Sequence, residues 1–332
     1  MTEGSETVVV GIPTYNNEES IGDTIELLVN QTRPPDRILC CDASTDRTPE
    51  IIDSYRETTD QVSIETIRQQ SDGVAGAYNE ILDHIEGEYD IFATIQSDLQ
   101  YPNDWVEGHL RIHREQPDID IVTGDYVERK ELHSEVQPDD RTYYVGRNFS
   151  AKAGTLERID GWDANFLRGE DWDMRIRLAG VGTRVYTDTS LAHDWNEDDP
   201  YVTLSKAKRK PTSVTFLAKY GRWYLGFHPS HVVSDLLGLG AVVLGAMAVL
   251  TTPFAPVLGV ALAVLFALSL VVYTVAHNML RGTVDGKMVW GPVRKQLLNG
   301  IAVAYALRRV GTADVDWNMT GFDPEAVPDY DY

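Results

Sequence analysis

The sequence predicts an α/β domain followed by a C-terminal two-helix transmembrane hairpin, and three observations carry that expectation. Short apolar runs alternate with helical stretches over the first part of the chain. Each run is followed by a cluster of oxygen-bearing side chains. Later, residues 236–276 contain no charged side chain.

The runs at 8–12, 37–41 and 91–95 are short and almost wholly apolar, as strands buried on both faces are. Helical stretches at 20–30, 48–56 and 76–85 lie between them, and strands separated by crossover helices give a parallel sheet. In such a sheet the ligand sits beyond the carboxyl ends of the strands. Those ends carry Pro13 to Glu19, Asp42 to Thr48 and Gln96 to Pro102. No GxGxxG or GxxxxGK[ST] loop is present, so phosphates are not cradled by backbone in either of those ways. A carboxylate-bearing site without a phosphate nest calls for a divalent cation to hold a diphosphate, and oxygen ligands select Mg²⁺ or Mn²⁺.

Composition narrows the classes further. The 332 residues include 51 acidic and 29 basic side chains, a net charge of −22. A field this negative repels a polyanion, which argues against nucleic-acid binding through phosphate neutralisation. The two cysteines, Cys40 and Cys41, are neighbours in an apolar run. They are expected as strand packing and exclude both a disulfide-built module and a cysteine zinc cage. An acidic, lysine-poor balance suits a surface that stays hydrated in concentrated salt, as in a halophile. The first residues are polar and lead straight into an apolar run without a signal-peptide pattern, so the first domain is expected to start in the cytoplasm.

As helix, residues 236–276 are about 60 Å long, twice the roughly 30 Å hydrocarbon thickness, so two crossings are expected. Pro253 and Pro256 mark the fold-back. Basic residues crowd both flanks: Lys206, Lys208, Arg209, Lys210, Lys219 and Arg222 before, and Arg281, Lys287, Arg294, Lys295, Arg308 and Arg309 after. The positive-inside tendency then puts both flanks, and both termini, in the cytoplasm of a multi-pass membrane protein. Residues 292–309 read as an interfacial helix, and 312–332 as a loose acidic tail. The expected organisation is a catalytic domain over 1–205, a basic juxtamembrane segment over 206–230, two transmembrane helices over 231–277, and the interfacial helix and tail over 278–332.

The succession IPTYNNEE, CDASTDRT, DGVAGAYNE, QSDLQYP and GEDWDMRIRL, over roughly residues 7–195, resembles the inverting family 2 glycosyltransferases of GT-A fold. The stretch QSDLQYP is similar to the DADLQHP of dolichyl- and polyprenyl-phosphate sugar synthases. That resemblance implies nucleotide contacts at Pro13, Tyr15, Glu18, Asp42 and Asp98. It implies metal ligands at Asp98 and Gln100; His193, which follows an apolar-polar strand, is a third candidate by its position, with a core or surface histidine as the alternative. Gln96 replaces the first Asp of the family's pair, which removes one negative charge, and Tyr78 stands where many members carry Arg. The family's ED motif falls on Glu170 and Asp171, which makes Asp171 the expected base, with Glu170 orienting it or the acceptor. The same acids also suit a helix N-terminus. Arg147 and Ser150 occupy the interval where acceptor phosphate binds in the lipid-phosphate sugar synthases. KYGRW, with Arg222 and Trp223, is similar to the QxxRW of processive synthases.

The resemblance and the apolar segment together imply a membrane-bound enzyme. It would move a sugar from a UDP- or GDP-type donor to a dolichol- or polyprenyl-linked acceptor, extending a lipid-linked oligosaccharide for protein N-glycosylation. With the halophile reading, the product would feed surface-layer glycans. The alternatives are a polyprenyl-phosphate monosaccharide synthase and a non-catalytic nucleotide-sugar-binding partner subunit.

Overall fold

The computed structural model describes residues 6–56, 61–97, 99–127, 148–167, 169–194, 213–227, 229–281, 290–312 and 315–326. The chain forms two compact units, one of residues 1–199 with 317–332 and one of residues 200–316.

The first unit begins β1 (Val8–Thr14), α1 (Ile21–Val29), β2 (Arg37–Asp42), α2 (Thr48–Arg56), β3 (Ser63–Arg68), α3 (Gly73–His84) and β4 (Ile91–Ile95). These four strands pair in parallel in the order β3-β2-β1-β4. Their residues alternate between two cores, which is why the runs read as continuously apolar. Val8, Val10, Ile12, Ile38 and Cys40 pack on one face with Ile21, Ile25 and Leu28 of α1. Val9, Leu39, Cys41 and Phe92 pack on the other with Tyr78 and Ile81 of α3 and with Trp162. Chain direction away from β1 leads to β2 on one side and β4 on the other, so the carboxyl end of β1 is a topological switch point.

The second half of the sheet departs from the parallel expectation. It is built from β5 (Leu99–Gln100), β6 (Ile121–Val127), β7 (Asn148–Lys152) and β8 (Val185–Asp194), giving eight strands in the order β3-β2-β1-β4-β7-β6-β8-β5. Strand β7 runs antiparallel to both β4 and β6, so the sheet is mixed. Helices α4 (Trp105–Glu115) and α5 (Glu170–Gly180) complete the unit.

The second unit is helical: α6 (Ser213–Tyr220), α7 (Arg222–Phe227), α8 (Pro229–Thr251), α9 (Pro256–Arg281) and α10 (Trp290–Thr312). Asp235 holds the start of α6, its Oδ2 accepting from the Ser213 backbone N–H at 2.7 Å and hydroxyl at 2.8 Å. Helix α8 is long and apolar enough over Val232–Thr251 to cross a membrane, and α9 has the shorter apolar stretch Pro256–Val272. Helix α10, which contains the segment expected as an interfacial helix, packs on α8. A Cβ at Gly300 would stand 2.2 Å from the Gly238 carbonyl oxygen, so only glycine admits this crossing.

The tail differs from expectation too. Residues 317–326 are docked on the first unit, where Trp317 lies 5.6 Å from the Phe166 ring and Asn318 bonds to Asp163.

Candidate active site

At the ends of β1 and β2 the two following loops hold each other. The Thr14 hydroxyl donates to Asp42 Oδ1 at 2.8 Å. Asn16, at φ 53, takes the left-handed conformation that Asn tolerates better than most residues. There its N–H donates to Ser44 Oγ at 2.8 Å and its Oδ1 accepts from the Thr45 N–H at 2.9 Å. Asn17 N–H donates to Thr48 Oγ1, and Glu18 Oε2 accepts from the Arg47 N–H at 3.2 Å. Pro13, Tyr15, Glu18 and Asp42 therefore share one rim. Tyr15 is 61% exposed, a ring left open to solvent at the switch point.

Asp42 itself is only 1% exposed. Its Oδ2 accepts from the Ser44 N–H at 3.2 Å and from Arg68 Nη1 at 3.1 Å, so both carboxylate oxygens are engaged within the protein. Arg68 Nη1 also donates to the Ser44 carbonyl at 2.9 Å. The Arg68 side chain is 58% exposed. The rim thus also carries a cation pinned by the buried Asp42 carboxylate, and Arg68 is a residue that the sequence pattern did not single out. Its signal was the alternating stretch SIETIR, which forms the edge strand β3.

From this rim the backbone leads towards the other expected motif. Gln69 N–H donates to the Asp42 carbonyl at 2.9 Å, and the Gln69 amide donates to the Gly73 carbonyl at 2.7 Å. Gly73 in turn approaches Leu167, two residues before Gly169. Gly169, at φ 81, is the N-cap of α5, and Glu170 and Asp171 are its first two residues. Both are half-buried, and Asp171 Oδ1 accepts from the Trp172 N–H at 2.9 Å. The third acid of the motif behaves differently. Asp173 and Arg177 are both fully buried, joined at 2.9 Å one helical turn apart. The i,i+4 spacing of the two was visible in GEDWDMRIRL; its structural purpose was not.

Of the expected metal ligands, Asp98 lies outside the described residues, and Gln100 and His193 are Cα partners in the antiparallel β5–β8 ladder. Arg147 also lies outside the described residues. Ser150 corrects an expectation. It is 1% exposed on β7, where its hydroxyl meets His109 Nδ1 at 2.9 Å and His113 Nε2 at 3.0 Å, so it belongs to the core and is closed to an acceptor. Burial pushes the imidazoles of His109 and His113 down to about 3 and about 4. Arg222 and Trp223 belong to the helical unit, on α7, where Trp223 meets the Tyr220 ring edge-on at 5.6 Å. Tyr78, at the position of the family's Arg, is buried and stacks on Trp162 at 4.6 Å.

Residues 9–166 match the model of glycosyl transferase family 2. The match covers a little under half of the chain. TuaG of Bacillus subtilis, named as a glycosyltransferase of teichuronic acid biosynthesis, is 30% identical over 125 residues, covering 37% of this chain and 48% of that one. The glucosyl-dolichyl phosphate glucuronosyltransferase of Haloferax volcanii is 26% identical over 204 residues, covering 55% of this chain and 64% of that one. The chain thus spans less than two thirds of either curated relative. Among solved structures, the mannosyltransferase PcManGT of Pyrobaculum calidifontis, bound to GDP-Man and Mn²⁺, superposes with a TM-score of 0.55 at 17% identity, over 94% of this chain and 89% of that one. At that identity the likeness establishes the GT-A fold. The rim at β1 and β2 and the Gly73–Leu167 approach both lie inside the matched segment or at its edge, whereas Glu170 and Asp171 follow it.

Proposed function

We propose that the chain is a membrane-anchored, inverting glycosyltransferase. It moves one sugar from a UDP- or GDP-type donor to a dolichol- or polyprenyl-linked acceptor on the cytoplasmic leaflet, extending a lipid-linked oligosaccharide used in protein N-glycosylation. The observation that carries this reading is the joining, in one chain, of a segment matching the family 2 model and a helix long and apolar enough over Val232–Thr251 to cross a membrane. A lipid carrier calls for such an anchor, and a soluble acceptor does not. In this reading α8 and α9 both cross the bilayer, and the basic flanks meet anionic headgroups. The Haloferax relative, named for glucosyl-dolichyl phosphate, supports the choice of acceptor class.

On the donor side, the exposed Tyr15 ring and the Arg68 guanidinium take the base, with Pro13 and Glu18 beside it and Asp42 holding Arg68 in place. Asp98, Gln100 and His193 would hold Mg²⁺ or Mn²⁺. Carboxylate, amide and imidazole donors fit those ions, and the ladder sets Gln100 opposite His193. When bound, such an ion offsets the charge that builds on the departing diphosphate. On the acceptor side, Asp171 takes the proton from the attacking hydroxyl and Glu170 orients the pair, while Arg147 holds acceptor phosphate or glycan.

The test is transfer by the full-length protein in vesicles containing dolichyl-phosphate-linked acceptors, with a panel of UDP- and GDP-sugars and with Mn²⁺ present or chelated. Metal-dependent elongation of one lipid-linked species is expected, with loss of turnover in Asp98→Ala. Full turnover in Asp98→Ala sinks the metal assignment. Gln96, where the family has Asp, favours one second reading, a nucleotide-sugar-binding partner subunit. Tight donor binding without turnover on any acceptor would establish it. Mass analysis of lipid-linked glycans from cells lacking the chain separates extension from monosaccharide synthesis, because the truncated species reveals the missing step.

A further inference from the structure

Four consecutive peptide carbonyls stand shortly before the helix that carries Glu170 and Asp171, and each is held by a side chain from elsewhere. The Ile159 carbonyl accepts from Arg177 Nη1 and from Asn318 Nδ2, the latter at 3.2 Å. The Asp160 carbonyl accepts from Asn318 Nδ2 at 2.8 Å, and the Gly161 carbonyl from Arg177 Nη2 at 2.9 Å. The Trp162 carbonyl accepts from Asn79 Nδ2 at 2.8 Å, while Asn79 Oδ1 accepts from the Trp162 N–H at 2.9 Å. Carbonyls left without donors are costly where water is excluded, as around the fully buried Arg177, while the Asp160–Asn318 bond lies more exposed; together these three side chains hold the loop in this conformation.

Two of the three come from the domain itself, and the third comes from the end of the chain. Thr320 N–H donates to Asn318 Oδ1 at 3.0 Å, which turns the amide so that its Nδ2 faces the carbonyls. The Asn318 N–H donates to Oδ2 of the buried Asp163, whose Oδ1 accepts from the Asn165 N–H at 2.9 Å. One residue earlier, Trp317 covers Phe166 at 5.6 Å. The hydrogen bonds and ring contact described above that Trp317 and Asn318 make to the domain fall on residues 159–166, which lead through Leu167 to the N-cap Gly169.

We propose that Trp317 and Asn318 are positioning residues for the transfer reaction: the chain's C-terminal segment returns to the glycosyltransferase domain to fix the peptide row 159–162, and with it the place of Glu170 and Asp171. The inference rests on the reading of Asp171 as the base. Neither residue reaches the donor rim, so their loss should slow transfer and spare nucleotide binding. Displacing a reacting group by about 1 Å costs on the order of a hundredfold in rate.

The experiment compares full-length wild type, Asn318→Ala, Trp317→Ala and Trp317→Phe by transferase kinetics, by binding of UDP and GDP, and by hydrogen exchange over 159–171. Expected are a fall in kcat of about tenfold to a hundredfold for the two alanine variants, nucleotide affinity within about twofold of wild type, and faster exchange confined to 159–171. Near wild-type kcat is expected in Trp317→Phe. Unchanged kcat in Asn318→Ala overturns the inference, whether or not exchange rises, because a brace without effect on rate is only structural. Parallel loss of nucleotide binding and kcat overturns it as well, since that marks general destabilisation. If wild type itself transfers no sugar, the reading of Asp171 fails first. If wild type transfers and both alanine variants match it, the inference alone fails. Should either alanine variant not fold, Asn318→Asp serves in its place, since it keeps the backbone contact and Oδ1 while removing the donor to the carbonyl row.

Discussion

The two sides of the candidate site are built in opposite ways. At the donor rim, loops 13–18 and 42–48 hold each other across a sequence separation of about thirty residues, as in the Asn16–Ser44 bond with a separation of 28. Before α5, the loop 159–167 is held by groups as far away as Asn318, at a separation of 155 from Asp163. The rim is thus a property of one β-α-β unit, and its bonds form wherever that unit forms. The acceptor-side loop is a property of the assembled first unit, because its donors come from α3, α5 and the chain's far end. Nucleotide binding should therefore survive damage that abolishes transfer.

The sharpest test of that asymmetry is Asp171→Asn, with an expected fall in kcat of up to about 10⁴-fold and UDP or GDP affinity unchanged within about twofold, read by single-turnover transfer and calorimetry. Next in size is Asp173→Ala, which leaves the Arg177 charge buried and unpaired and should cost about 3–5 kcal/mol in unfolding free energy, measured by denaturant titration. If Asp173→Ala unfolds no more easily than wild type, the acceptor-side loop is not organised as described. At the rim, Asp42→Asn weakens the hold on Arg68 and Thr14, a loss of about 1.5–3 kcal/mol per charged hydrogen bond, and should reduce nucleotide affinity by about tenfold or more. An unaltered affinity there would separate Arg68 from donor binding.

A further effect concerns pH and should touch both sides equally. His109 and His113 are neutral in the folded protein, with values of about 3 and about 4, against about 6.5 in the unfolded chain. Below about pH 6.5 the unfolded state takes up protons that the folded state refuses, so stability falls as pH drops from there towards 4 and is flat on this account above about pH 7.5. Thermal unfolding between pH 7.5 and 5 should show that slope, and His113→Gln should make it shallower. A slope unchanged by His113→Gln would assign it to other groups, carboxylates first.

The sequence made the rim legible for the same reason that it is local. Pro13, Tyr15, Glu18 and Asp42 lie in two short motifs at the ends of fully apolar runs, and β1, β2, β4 and α1 to α3 appear where that alternation places them. Strands β3 and β7 escaped because neither is a continuous apolar run: SIETIR alternates as an edge strand, and NFSAK carries Asn148 and Ser150 into a buried polar network. In that network Trp105 Nε1 donates to Asn148 Oδ1 at 2.6 Å, beside the Ser150–His109–His113 group. Ser150, with Arg147, was expected as a ligand contact by its interval, and only the packing of α4 against β7 reveals its place in the interior instead. Asn318 carried no such signal, since nothing within 318–320 indicates that its amide donates to a carbonyl 158 residues away.

One detail of the tail has a practical use. Gly180 closes α5, and a methyl group there would lie 2.0 Å from the Gly321 carbonyl oxygen. With the tail seated, Gly180→Ala must push it off or distort it. With the tail detached, the same change replaces a poor helix former by the best one and should stabilise the protein by about 0.5–1 kcal/mol. The sign of a single methyl group's effect on melting temperature is therefore a gauge of seating, readable without substrate, lipid or knowledge of the sugar.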